Sequence, residues 1–276
     1  MTRADLHIHT LCSDGAYSPE EIARRAKQAG VALFSVTDHD NMEGVERAES
    51  AAAREGILFV SGMEISAYNE YGKVHVLGFN CRKNAVYEQF LRERTEGAYQ
   101  RAEDSLNKAN AYFGTHLTMA DAEEFHREKS APVHTMHVVG AFTKVLNRER
   151  SELYNEVFAF GKPAYSGLFR PTPEGAIEFI HKMGGIASLA HPMRIEIEGA
   201  KLFGFIEGLC RVGLDGIECY HSTHTESESA SLAAYAKEKK LLVTGGSDFH
   251  TEGTERALGV PEFYASDALL RALALS

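Results

Sequence analysis

His7 and His9 lie two residues apart in Asp5–His9, a run that reads as a strand. Alternate side chains of a strand share a face, so both imidazoles are directed at one spot. Asp14 follows in the turn Ser13-Asp14-Gly15, and His39 stands in Thr37-Asp38-His39-Asp40. Glu64 comes in Gly62-Met63-Glu64, and His75 lies on a later strand pattern. His191 stands in Leu189-Ala190-His191-Pro192, and Asp248 and His250 in Gly246-Ser247-Asp248-Phe249-His250. A lone histidine on a strand is more often packed than ligating, but here such residues recur at one strand end after another. Six imidazoles and three carboxylates suit Zn, Mn or Fe. Nine ligands are too many for one ion, so the set implies two or three divalent ions with a bridging carboxylate.

Residues so far apart in the chain converge only if a regular scaffold brings them together. Ser18–Gly30 reads as a helix, with Ser18 as N-cap, Pro19 at its first position and Glu21 completing a capping box. Strand patterns follow at 32–36, 57–60 and 73–79, with a helix over 44–55. The later half continues with helices over 174–183, 202–213 and 228–240 and strands over 186–190, 216–219 and 242–245. This alternation predicts parallel β/α units, as a barrel or a doubly wound sheet. In such a fold the C-terminal strand ends form one rim, where active sites are built. From about Lys83 to Ala159 strand signals are few, and helices are expected over 85–113, 119–129 and 137–146. The expected organisation is therefore one α/β domain, residues 1–82 and 160–276, carrying a helical insertion over 83–159.

Length and composition agree with a globular chain: 276 residues, 44% hydrophobic and 25% charged. No run approaches the roughly 18 apolar residues of a membrane span. The N-terminus enters a strand almost at once, leaving no room for a signal peptide, so a cytoplasmic protein is expected. The net charge of −10 disfavours broad electrostatic binding to long duplex nucleic acid. Cys12, Cys81, Cys210 and Cys219 are scattered, without CxxC spacing, and are expected as free thiols.

Taken in order, His7-Ile8-His9-Thr10 with Ser13-Asp14-Gly15, Thr37-Asp38-His39, Gly62-Met63-Glu64, His75, Ala190-His191-Pro192 and Gly246-Ser247-Asp248-Phe249-His250 resemble the motifs of the PHP (polymerase and histidinol phosphatase) family. The resemblance implies a distorted (β/α)7 TIM-like barrel whose trinuclear centre hydrolyses phosphoesters with hydroxide generated on the metal. Carried over, His7, His9, Glu64 and Asp248 would hold one ion. Glu64 would bridge to a second, completed by His75 and His191. Asp14, His39 and His250 would hold a third, Asp14 replacing a histidine of some relatives. His191 and Asp248 are also the candidates to assist proton transfer. Divalent ions would make the pocket positive despite the acidic chain, drawing in a phosphate.

Within the family the chain resembles the subgroup of nucleoside 3′,5′-bisphosphate phosphatases and 5′-to-3′ RNA exonucleases. It shares their helical insertion and the segments Gly161-Lys162-Pro163-Ala164-Tyr165 and Ala190-His191-Pro192-x-Arg194. Where many relatives have Thr-Arg-Pro-His, this chain reads His134-Thr135-Met136-His137. The implied substrates are AMP, nucleoside 3′,5′-bisphosphates or short 5′-phosphorylated RNA. Histidinol phosphate and a non-catalytic module of a larger assembly are the alternatives. Arg170 and Arg194 are candidates for gripping phosphate, since a guanidinium bonds two oxygens at once. His221 and His137 are further candidate substrate contacts, the latter from an insertion that could close as a lid. His116, His126, His134 and His181 carry no supporting context, and Tyr68 and Tyr71 read as residues of the loop before His75.

Overall fold

Residues 2–125, 133–168, 170–254 and 256–275 are described by a computed structural model. In chain order the strands are β1 (Thr2–Asp5), β2 (Leu33–Phe34), β3 (Leu58–Phe59), β4 (Gly62–Asn69), β5 (Gly72–Phe79), β6 (Ile186–Leu189), β7 (Gly216–His221), β8 (Leu242–Gly246) and β9 (Phe263–Ala265). The helices are α1 (Pro19–Gln28), α2 (Val45–Glu55), α3 (Ala85–Phe113), α4 (Met119–Glu123), α5 (Thr135–Leu146), α6 (Arg150–Leu153), α7 (Pro173–Lys182), α8 (Ala200–Arg211), α9 (Glu226–Lys239) and α10 (Asp267–Ala272). The part of the expected helix beyond Phe125, with His126, lies outside the described residues.

The chain is a mixed α/β structure that divides into two compact units, Met1–Tyr87 with Pro171–Ser276, and Glu88–Arg170. In the first unit one sheet has the order β3-β2-β1-β9 and the other β4-β5-β6-β7-β8. The strands β1, β2 and β3 run parallel, as do β6, β7 and β8. The expectation of parallel units alone is corrected at two places. β4 and β5 form an antiparallel hairpin that also meets β6 antiparallel, and β9 lies antiparallel on β1. The parallel bridges Ile8–Phe249, past the ends of β1 and β8, and His39–Glu64, from past β2 to the interior of β4, connect the two sheets.

The helices begin where local chemistry supplies partners for their free N–H groups. Ser18 accepts from the Glu21 N–H ahead of Pro19, Thr172 does the same for Gly175, and Thr225 and Glu228 form a reciprocal capping box. Gly56 ends α2 at φ 66°, a conformation that glycine adopts without a steric penalty. Leu6, Leu33, Leu77, Phe79, Ala190 and Leu269 are among the residues of one buried cluster. The second unit is helical and has its own core, in which α3, α5 and α6 meet through Leu106, Val139, Phe142 and Leu153. Among the described residues no helix is long and apolar enough to cross a membrane.

Candidate metal centre

The β4–β5 hairpin places two of the candidate ligands. Glu64 pairs with Leu77 across the hairpin, and Ser66 pairs with His75. Facing residues share a side of the sheet, and the period is two, so Glu64 and His75 are diagonal neighbours on one face. Both lie inside strands rather than at strand ends, which corrects the expected rule for these two. Their contact is short, His75 Nδ1 to Glu64 Oε1 at 2.6 Å.

The other candidates do follow strand ends. Past β1, Leu6 N–H donates to Gly245 O and His9 N–H to Phe249 O, so the segment with His7 and His9 runs beside the one with Asp248 and His250. The approach is close enough that a Cβ on Gly246 would lie 2.4 Å from His7 Cβ, so this position excludes a side chain. Asp248 and His191 both adopt positive φ, 52° and 26°, as does Asp40 at 53°. Non-glycine residues seldom do so, and such strain concentrates at functional sites.

Glu64 divides the cluster between its two oxygens. Oε1 faces His75 and, at 3.0 Å, His191 Nε2. Oε2 faces His7 Nε2 at 3.4 Å, His9 Nε2 at 3.3 Å and His39 Nδ1 at 3.1 Å. Asp248 is divided in the same manner. Oδ1 lies 3.4 Å from His7 Nε2 and 3.2 Å from His9 Nε2, while Oδ2 faces Arg194, His221 and Arg256. Asp14 stands on the open side, 54% exposed, with His250 Nε2 at 3.3 Å, His9 Nδ1 at 3.4 Å and His39 Nε2 at 3.7 Å.

These residues fit divalent cations. His7 Nε2, His9 Nε2, His39 Nδ1 and Glu64 Oε2 are buried, have no hydrogen-bond partner, and converge. Such atoms are costly unless something pairs with them. Ligands bound at about 2.0–2.2 Å around one ion stand roughly 3.0–3.6 Å from each other, which is the spacing found here. Several overlapping groups of these residues keep their ligand atoms within 4.8 Å, among them His9-Asp14-His39-His250, His7-His9-Glu64 and His39-Glu64-His75.

Without an ion the electrostatics are those of an acid-rich pocket. Burial works against a charged His9, but Asp248 and Glu64 outweigh it and lift its pKa to about 9. Burial likewise opposes a charged His7, whose pKa is held well above the usual range by Glu218, Glu64 and Asp248. Burial pushes the His75 pKa down to about 3 and lowers those of His191 and His39. Glu64 and Asp248 stay ionised against burial because histidines surround them. The charged forms of His7 and His9 are thus favoured by the same carboxylates whose geometry suits metal.

Glu218 and Arg256 are functional candidates that the motif reading missed. Glu218 is fully buried, with Oε1 2.9 Å from His7 Nδ1, while its Oε2 accepts from the His191 backbone N–H at 2.7 Å. A glutamate interrupting the apolar run of β7 was the available signal. Arg256 Nη1 lies 2.5 Å from Asp248 Oδ2. Asp38 fixes the loop that carries Asp14, accepting from Thr10 N–H and Oγ1 at 2.7 Å and from Ser13 Oγ at 2.6 Å.

The candidate substrate contacts fall into two sets. Arg194 is 44% exposed and reaches Asp248 Oδ2 at 3.2 Å. The His221 side chain has no exposed surface, and its nitrogens face Asp248 Oδ2 at 3.3 Å and Thr223 Oγ1 at 2.9 Å. In this arrangement the ring packs beside Asp248, and His7, Glu218 and His221 also form one of the groups whose ligand atoms lie within 4.8 Å of one another. His137 and Arg170 belong to the second unit. There the His134 N–H donates to His137 Nδ1 at 3.1 Å, and Arg170 Nε donates to Ser166 O at 3.2 Å. His181 pairs with Asp215 at 2.7 Å, while Tyr68 is part of β4 rather than a loop.

Comparison with known proteins gives a consistent result. The family model described as the PHP domain matches residues 5–162. A 5′-3′ exoribonuclease of Haemophilus influenzae is 33% identical over 253 residues, covering 89% of this chain and 89% of that protein. The phosphoribosyl 1,2-cyclic phosphate 1,2-diphosphodiesterase of Eggerthella lenta is 30% identical over 256 residues, covering 89% and 93%. The 3′,5′-nucleoside bisphosphate phosphatase of Chromobacterium violaceum is 29% identical over 260 residues, covering 92% and 89%.

Proposed function

The chain belongs to the PHP-domain family and is a metal-dependent phosphoesterase, and from that premise we propose that it removes phosphate from small nucleotides such as AMP or nucleoside 3′,5′-bisphosphates. Short 5′-phosphorylated RNA is a further substrate on this reading. The single observation that carries the site assignment is the division of Glu64. One oxygen serves His75 and His191, the other His7, His9 and His39, as a bridging carboxylate requires.

In the proposed centre His7, His9, Glu64 and Asp248 hold one ion; Glu64, His75 and His191 hold a second. Asp14, His39 and His250 hold a third. Bound divalent ions supply positive charge for the phosphoryl oxygens and activate water at neutral pH. The chain's own residues then orient the ester. Exposure rises from His7 and Glu64 to Asp14, so phosphate approaches from the Asp14 side. Arg194, already at the edge of Asp248, grips two of its oxygens. His191 and Asp248 are also proposed to assist proton transfer, a role secondary to the ligation that commits both in this scheme. Arg170 and His137 are proposed substrate contacts of the second unit.

The same reading extends to the fold. We propose a distorted seven-stranded barrel, β1-β2-β4-β5-β6-β7-β8, supported by the bridges Ile8–Phe249 and His39–Glu64 between its two sheets. On this proposal residues 1–82 and 160–276 belong to the barrel and 83–159 to the helical insertion, whereas the compact units divide at Tyr87 and Arg170 and so assign Arg170 to the second unit.

The Eggerthella lenta relative favours a second reading, hydrolysis of a small cyclic phosphodiester. Product release by the Mn²⁺-loaded protein from adenosine 3′,5′-bisphosphate, AMP, a 5′-phosphorylated trinucleotide, a ribose 1,2-cyclic phosphate and histidinol phosphate separates the readings. Preference for the nucleotides supports the proposal. Turnover confined to the cyclic ester or to histidinol phosphate contradicts it.

A further inference from the structure

Glu218 is a buried charge for which the scheme above has no role. It stands in β7 with no exposed surface, and both of its oxygens are engaged. Oε1 meets His7 Nδ1 at 2.9 Å, and Oε2 accepts the His191 backbone N–H at 2.7 Å. We propose that Glu218 is a positioning residue of the metal centre, which sets the ring nitrogen of His7 that carries the hydrogen and fixes the backbone of His191. The inference rests on the metal-centre reading and deepens it.

A neutral imidazole has one N–H and one lone pair, and the partner of the first decides where the second points. With Nδ1–H donated to Glu218, the lone pair of His7 lies on Nε2. That atom is buried, lacks a hydrogen-bond partner, and stands 3.4 Å from both Glu64 Oε2 and Asp248 Oδ1. The other tautomer would set a lone pair against a carboxylate oxygen and aim an N–H into the cluster. His191 occupies a left-handed backbone conformation at φ 26°. Its N–H, held by Oε2, orients the residue so that ring Nε2 lies 3.0 Å from Glu64 Oε1. One carboxylate therefore steadies a ligand on each side of the Glu64 bridge. Partners of this kind orient metal ligands generally, and losing one weakens metal binding.

The test uses the full chain, stripped of metal and reloaded with Zn²⁺, as wild type and as Glu218→Gln. Zinc affinity is read by competition with a chromophoric chelator, and the His7 ring by ¹⁵N NMR of the zinc-loaded protein. The expected wild-type spectrum carries a slowly exchanging hydrogen on His7 Nδ1. Glu218→Gln, shown to be folded by circular dichroism, is expected to bind zinc about 10–100-fold more weakly, with that hydrogen signal shifted or lost. A wild-type spectrum with the hydrogen on Nε2 overturns the proposal without need of a variant. A folded Glu218→Gln chain with wild-type affinity overturns it as well. A wild-type chain that binds no zinc overturns the metal-centre reading itself, an outcome separable from zinc binding that ignores Glu218.

Discussion

Glu64 Oε1 lies 2.6 Å from His75 Nδ1, and this contact is made by the antiparallel hairpin of β4 and β5. The hairpin brings Glu64, the proposed bridging carboxylate, and His75 into the pocket from one face, while segments past strand ends deliver the other candidate ligands. Removing the carboxylate should therefore affect more than one ion. Glu64→Gln is predicted to lower bound metal, measured by elemental analysis, by more than one ion per chain. A loss of one ion or none would show that Glu64 does not bridge.

Removing a single ligand should abolish turnover and spare the fold. His9→Asn and Asp248→Asn are each expected to lower kcat/KM by about 10³-fold or more, the several kcal/mol a metal supplies to charge development. Far-ultraviolet circular dichroism should stay unchanged. Activity within a few-fold of wild type in both variants would remove these residues from the centre.

Metal loading should be coupled to proton release. In the metal-free chain the His9 pKa is raised to about 9, so at pH 7.5 that imidazole is protonated, and the His7 pKa is shifted in the same direction. A ligating imidazole must be neutral, so binding expels protons and apparent affinity rises with pH up to about 9. The linked stability has the opposite slope. A raised histidine stabilises the metal-free fold fully below its unfolded pKa of about 6.5, and that contribution fades as pH climbs through about 9. Calorimetric titrations in buffers of different ionisation enthalpy read the proton count. Zero protons released at pH 7.5 would refute the prediction.

Arg194 should act on substrate more than on metal. Arg194→Ala is expected to raise KM roughly tenfold or more with metal content unchanged, and lysine should restore only part, since it cannot bond two oxygens in a fixed fork. Steady-state kinetics with parallel metal analysis decide this. An unchanged KM would leave Arg194 a partner of Asp248 alone.

Thiol chemistry offers a check of the fold that is independent of the site. Burial pushes Cys81 and Cys219 up to about 12. The native chain at pH 8 should thus expose at most Cys12 and Cys210 to a maleimide, both being partly accessible. Rapid labelling of Cys81 or Cys219 would contradict this packing.

Much of the scaffold was legible because its signals are local. Ser18-Pro19 opens α1, the capping box at Thr225 opens α9, and apolar runs mark β6 and β8. The histidines at strand ends were legible for the same reason: a strand has a direction and a period. β4 was not, although Met63, Ile65 and Ala67 alternate along it as a buried apolar row: Glu64 read as a residue past the strand at 57–60, and only the pairing with β5 extends the strand to Asn69. β9 was missed because three residues on an edge hold no period. Glu218 looks like a polar interruption of β7, and its meaning comes only from His7, 211 residues earlier in the chain. Likewise, only the fold reveals that β7 encloses His221. What escaped notice was set by contacts between distant segments, which no local window contains.

The most direct measurement of the central claim is phosphate release from adenosine 3′,5′-bisphosphate as Mn²⁺ is titrated into the metal-stripped chain, with Glu64→Gln alongside. A bridged centre predicts no activity without metal, little at one equivalent, a steep rise as the second binds, and no comparable rise in the variant. Full activity in the stripped protein, or in Glu64→Gln at the same metal concentration, would contradict it.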